Sequence, residues 1–113
     1  MTYFVCHPIE DETRRRDHDD RIQLQSFLAD LAAEAPRLED ADVYIALGGM
    51  YLTWGYREKM EQELQQARAL ELPILVVRPY GTGYVPAALR PYADGVCSLT
   101  RSALRQIMAQ LQK

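Results

Sequence analysis

Gly48-Gly49 is followed at once by Met50, Tyr51, Leu52, Trp54 and Tyr56. Paired glycines at the end of an apolar run let a ligand approach the backbone closely. Aromatic side chains at this density offer flat faces on which a nucleobase or nicotinamide ring would stack. The same residues would also serve as a hydrophobic lid over the edge of a sheet, or as an oligomer contact. Downstream, Glu58, Glu61 and Glu63 fall in a segment where Tyr56, Met60, Leu64 and Ala67 recur at helical spacing. At about 100° per residue, Glu63 stands beside Met60, Leu64 and Ala67 at the margin of the apolar stripe, whereas Glu58 points the opposite way. A half-buried carboxylate near the start of a helix is placed to act on a ligand. Its plain alternative is a solvated helix face.

A second group follows the first apolar run: His7, Glu10 and Asp11. Acidic residues there suit ribose hydroxyls or simply the start of a turn. The run Arg14-Arg15-Arg16-Asp17-His18-Asp19-Asp20 reads as a charged approach to a helix, with acids placed to suit its dipole. Its neighbouring acids largely neutralise the arginines, and a solvated loop is a better reading than a metal site around His18. No metal site is expected.

These residues need elements to hold them. Four short runs, Tyr3–Cys6, Val43–Leu47, Ile74–Val77 and Val96–Leu99, are apolar on both faces, as in strands covered on both sides. The spacing predicts helices over about 20–35, 56–70 and 101 to the end, with a short one at 85–89 where Pro86 suits the first turn. Pro36 is expected to stop the first of them. Alternation of this kind implies a parallel sheet with right-handed crossovers, about four strands at 2–6, 42–47, 73–78 and 95–99 in the order 1-2-3-4 or a close variant. Ligands of such sheets sit beyond the carboxyl ends of the strands, which is where His7, Gly48 and Arg78 begin their segments.

Composition narrows the function classes. The chain has 113 residues, 48% of them hydrophobic, and a net charge of −3 from 13 basic and 16 acidic side chains. One globular domain spanning 1–113 is expected. The mild acidity argues against nucleic-acid binding, which needs a clustered basic surface. No apolar run approaches the roughly 20 residues of a membrane span, and the opening MTYFVCHPIED does not read as a signal peptide. Cys6 and Cys97 read as reduced, buried thiols of a cytoplasmic protein. Phosphate-loop, dinucleotide-fingerprint, C-x-x-C and G-x-S-x-G patterns are absent from the sequence.

With those residues placed, the chain resembles a TIR-like domain, nearest to the ThsB-type TIR-like proteins of Thoeris antiphage defence. Phe4-Val5-Cys6-His7-Pro8-Ile9-Glu10-Asp11 is similar to the start of TIR domains, with Cys6 where a serine is usual. Asp40 to Tyr51 resembles the family's strand ending in Gly-Met-Tyr. Glu63-Leu64-Gln65-Gln66-Ala67 and Leu72 to Gly81 resemble the segment that follows, and Val85-Pro86 and Ala93-Asp94-Gly95-Val96 continue in register. The likeness is weak in the first third of the chain. TIR domains carry a further strand and helix before the Asp40–Leu47 segment, and Pro36 to Asp40 leaves no room for them. The interval from Tyr51 to Glu63 is also about two residues longer than in the family.

The resemblance implies a flavodoxin-like, three-layer α/β fold shortened by one βα unit. It implies cleavage of the nicotinamide–ribose bond of NAD, in some members with cyclisation of the ADP-ribose into a signal. NAD would be the substrate, and no cofactor is required. Glu63 takes the place of the family's catalytic glutamate, with Glu61 as the alternative. His7, Asp11, Gly48, Gly49, Tyr51, Trp54 and Tyr56 are the substrate-binding candidates. The leaving nicotinamide is already cationic, so a carboxylate near the sugar stabilises the oxocarbenium-like centre left behind. Two other readings stand beside this one. One is a nucleoside 2-deoxyribosyltransferase-like N-glycosidase that uses the glutamate as nucleophile. The other is a degenerate TIR-like module that binds a nucleotide or a protein. The uncovered sheet edge and the Tyr51–Tyr56 stretch point to a homo-oligomer.

Overall fold

The computed structural model describes residues 1–6, 15–51, 57–78 and 84–111, with the backbone alone at 15–18. Five parallel strands form one sheet. They are β1 (Thr2–Val5), β2 (Ala33–Glu34), β3 (Val43–Leu47), β4 (Ile74–Val77) and β5 (Gly95–Cys97), in the order β2-β1-β3-β4-β5. The helices are α1 (Arg15–Leu28), α2 (Gly48–Tyr51), α3 (Arg57–Ala69) and α4 (Arg101–Leu111). This is the strand order of flavodoxin-like sheets, in which the direction of winding reverses between β1 and β3.

The four strands read from apolar runs are present and lie in the expected sequence, β1-β3-β4-β5. All of β3 and β4 is buried. Burial of each aliphatic side chain there contributes about 1.5–3 kcal/mol, so these two strands anchor the sheet. β5 is not covered on both faces as expected, since it lies at the edge of the sheet and Val96 is 38% exposed.

The sheet has five strands rather than four, and the difference lies at one place. α1 ends at Leu28 rather than running to Ala35, and the chain turns and lays Ala33–Glu34 beside β1. A two-residue, solvent-exposed strand leaves no apolar alternation to read. Its anchor is polar instead, since Glu34 accepts hydrogen bonds from Arg21 at 2.6 Å and Gln25 at 2.8 Å, both on α1. The edge position expected to be missing is therefore occupied. The helix that would follow is replaced by a single 3-10 turn at Leu38–Asp40, with Leu38 buried. The short helix expected at 85–89 is likewise a turn leading into a 3-10 helix at Arg90–Tyr92.

Register assigns the faces. Phe4, Tyr44 and Ile74 are lateral partners, as are Val5, Ile45, Leu75 and Gly95. Successive strand residues alternate faces, so the two sets point oppositely. A Cβ on Gly95 would lie 2.7 Å from Ile107 Cδ1, which marks the second set as the α4 face and means that a side chain there would oblige Ile107 to shift. α1 packs on α4, joined across their ends by Asp30 with Arg101 and Arg105. The first set faces α3, whose Met60, Leu64 and Ala67 are buried. Helices thus cover both faces of the sheet.

Two aspartates fix the amino ends of strands by the same device. Asp42 Oδ2 accepts the Thr2 N–H at 2.9 Å, while its own N–H donates to Thr2 O. Asp94 Oδ2 accepts the Ile74 N–H at 2.8 Å, while its N–H donates to Ile74 O. Thr100 Oγ1 accepts the Ala103 N–H and caps α4. No helix among the described residues is long and apolar enough to cross a membrane.

Candidate functional site

The winding reversal brings the carboxyl ends of β1 and β3 side by side. Cys6 follows β1, Gly48-Gly49 opens α2 directly after β3, and all three residues are buried. Cys6 Sγ accepts the Leu47 N–H at 3.4 Å and lies 3.5 Å from Met50 Sδ. The segment after β3, expected as a loop, begins as four helical residues packed inward. Met50 is 1% and Tyr51 5% exposed, so both side chains form part of the cover over the carboxyl end of β3. Cys6 and Cys97 are both buried, and neither forms a disulfide.

Two glutamates of α3 are each bonded to a tyrosine. Tyr44 Oη donates to Glu63 Oε1 at 2.9 Å, and Tyr51 Oη donates to Glu61 Oε1 at 3.2 Å. Counted from Met60 at about 100° per residue, Glu63 falls about 60° to one side of the buried stripe and Glu61 about 100° to the other. The two carboxylates therefore stand on opposite flanks of one helix.

Neighbouring contacts identify each flank. Arg68 shares the Glu61 flank by the same count, and it donates to Pro91 O at 3.0 Å with its guanidinium 5.4 Å from the Tyr92 ring centroid. That flank faces the β4–β5 connection. On the other side, Tyr44 stacks on Phe4 of β1, with centroids 6.1 Å apart and planes at 20°. Glu63 is thus tied to the β1–β3 side, where the winding reverses. Tyr44 precedes Gly48 by four residues, roughly 13 Å of strand, so the carboxylate is set back from the glycines along the α3 face.

The environments differ too. Tyr44 is fully buried, and Glu63 is half-buried. Glu61 is exposed, and Arg57 sits over the Tyr51 ring at 5.3 Å while donating to Tyr51 O at 3.4 Å. Burial first, and then the hydrogen bond to Glu61, holds the Tyr51 phenol above its ordinary pKa, with Arg57 opposing.

Of the residues singled out from the sequence, Gly48, Gly49 and Tyr51 are brought together at the carboxyl end of β3, and Glu63 lies on the flank nearest the reversal. His7, Asp11, Trp54 and Tyr56 lie outside the described residues, as does the side chain of His18. Tyr44 escaped the sequence reading. Its signal was a phenol inside the otherwise aliphatic strand Val43-Tyr44-Ile45-Ala46-Leu47, because a buried tyrosine hydroxyl needs a partner.

Two clefts lie elsewhere. One of about 590 Å³ sits at the amino edge of the sheet between Arg68, Pro73 and Asp94. One of about 320 Å³ runs between β5 and α4 past Cys97 and Gln106. The larger holds neither glutamate and lies at the end of the strands opposite to the one that binds ligands in such sheets. Among the described residues, no group of three or more His, Cys, Asp or Glu side chains is arranged to hold a metal ion.

No protein-family model matches this chain, and no curated protein matches it significantly.

Proposed function

We propose that this protein is a TIR-like domain that cleaves the nicotinamide–ribose bond of NAD, with Glu63 as the catalytic carboxylate. The observation that carries the reading is the position of Glu63, half-buried and hydrogen-bonded to Tyr44 on the flank of α3 that faces the reversal between β1 and β3. Sheets of this winding bind nucleotides beyond the carboxyl ends of the strands at that reversal, and Glu63 would meet the ribose of a ligand that reaches back from Gly48-Gly49 along the α3 face. The carboxylate would stabilise the oxocarbenium-like sugar as neutral nicotinamide leaves. Gly48 and Gly49 would admit the ligand close to the backbone. His7, Asp11, Trp54 and Tyr56 remain candidates for ribose and base, and a cyclised ADP-ribose is the further product the resemblance allows. Glu61 is the weaker candidate because it belongs to the flank that faces Arg90–Tyr92.

Nicotinamide release from NAD, followed by chromatography, tests the reading. Glu63→Gln removes the charge with little change of shape and is expected to lower turnover by about 100-fold or more. Glu61→Gln should lose far less. A larger loss at Glu61 would move the site to the other flank, and no release by the wild-type chain would reject NAD cleavage.

The second reading is a nucleotide-binding module without turnover. Met50 and Tyr51 favour it, because their burial makes them part of the core rather than an open stacking platform. Calorimetry with NAD and a cyclic ADP-ribose, run on the same samples, separates binding without turnover from catalysis.

A further inference from the structure

We infer that Tyr44 is a positioning residue for the reaction, acting through Glu63; the inference rests on the NAD-cleavage reading above. Three observations carry it. Tyr44 belongs to β3, which is hydrogen-bonded to β1 on one side and β4 on the other, so its backbone is fixed from both. Its ring is fully buried and stacked on Phe4, which leaves the phenol little freedom to swing. Its hydroxyl donates to Glu63 Oε1 at 2.9 Å, from the rigid sheet to the long side chain of a half-buried helical residue.

A glutamate side chain has several rotatable bonds and, unanchored, turns toward water. A charge meant to stabilise a developing cation must already be in place when the bond breaks. A buried donor on the central strand supplies that placement. Donation to the carboxylate also favours its ionised form, which is the form that stabilises a sugar cation. Tyr44 need not touch the substrate.

The test uses the whole chain. Turnover, KM and the pH profile for nicotinamide release are measured for wild type and Tyr44→Phe, with thermal unfolding alongside. The expected result is a fall in kcat of about 10- to 100-fold, as for a misplaced catalytic group, with KM changed less than about threefold. The acidic limb should move to higher pH, because loss of the Tyr44 donor lets Glu63 accept a proton more readily. A purely structural tyrosine would not move that limb. Should Tyr44→Phe fail to fold, 3-fluorotyrosine at position 44 keeps the ring and makes the phenol a stronger donor, and the acidic limb should then move to lower pH. Wild-type turnover with an unchanged rate and acidic limb in the variant overturns the role of Tyr44 and leaves the NAD reading standing. Wild-type protein that releases no nicotinamide overturns both.

Discussion

Helix α3 carries the same chemical pair twice, a glutamate accepting from a tyrosine hydroxyl, and the two copies differ in almost everything around them. Tyr44 reaches Glu63 from the central strand, with its ring stacked on Phe4 and closed to solvent. Tyr51 reaches exposed Glu61 from a four-residue helix at the rim, beside Arg57. A hydrogen bond of given length does different work in the two settings. In the first, the donor is rigid and closed to water, so the bond fixes where a charge stands. In the second, the acceptor is exposed and water competes for it, and the bond chiefly seats the tyrosine in its cover over the sheet.

Stability measurements by urea denaturation would expose that contrast most strongly. Tyr44→Ala opens a cavity between β3 and α3 and removes the hydroxyl that donates to Glu63, at an expected cost of about 3–5 kcal/mol. Tyr51→Ala empties a site at the rim that can relax toward solvent, and about half that loss is expected. Equal losses would mean that both pairs are packing features of the same kind.

Alkaline pH should load the β4–β5 side of the sheet. Burial pushes the Cys97 thiol up from 9.0 to about 11, with Arg78 opposing. The Tyr51 phenol is also raised above its ordinary 10.0. A group whose folded pKa is raised keeps its proton in the native state after the unfolded chain has lost it. Its contribution is therefore complete below the unfolded value and is lost as pH rises through the folded one. For Cys97 that window runs from pH 9 to about 11. Denaturation midpoints taken across that range should fall in the wild type and fall less in Cys97→Ala. Parallel slopes in the two proteins would show that the thiol is not what sets the decline.

The strands legible in the sequence were those whose stability comes from apolar burial. Val43–Leu47 and Ile74–Val77 are continuous apolar runs and are the most deeply covered strands of the sheet. β2 was illegible because its hold is polar and non-local. Ala33-Glu34 continues a helical pattern on paper, and it is held at the edge by backbone pairing with β1 and by Arg21 and Gln25 of α1, which bond Glu34. The site shows the same division. Helical spacing was enough to put Glu63 at the margin of a buried stripe, since that depends on neighbours in sequence. Its bond to Tyr44 spans 19 residues and depends on which face of β3 meets which helix. Alternation along β3 puts Tyr44 opposite to Val43 and Ile45, but that face could be named only once Gly95 had been seen against Ile107.

The smallest expected effect is the one that most sharply separates the two pairs. Tyr51→Phe keeps the ring under Arg57 and in the core and removes only the hydroxyl from Glu61. Glu61 is exposed, so water replaces the lost donor, and the cost should stay under about 1 kcal/mol. A double-mutant cycle with Glu61→Gln isolates the pair from the packing of either side chain. The coupling is expected to be a few tenths of a kcal/mol, as for exposed polar pairs, and to shrink with added salt. The matching cycle with Tyr44→Phe and Glu63→Gln should give a coupling several times larger and nearly independent of salt, because its donor is buried. If the Tyr51 cycle gives the larger value, the rigid pair on α3 is the one facing Arg90–Tyr92. The carboxylate best fixed for chemistry would then be Glu61.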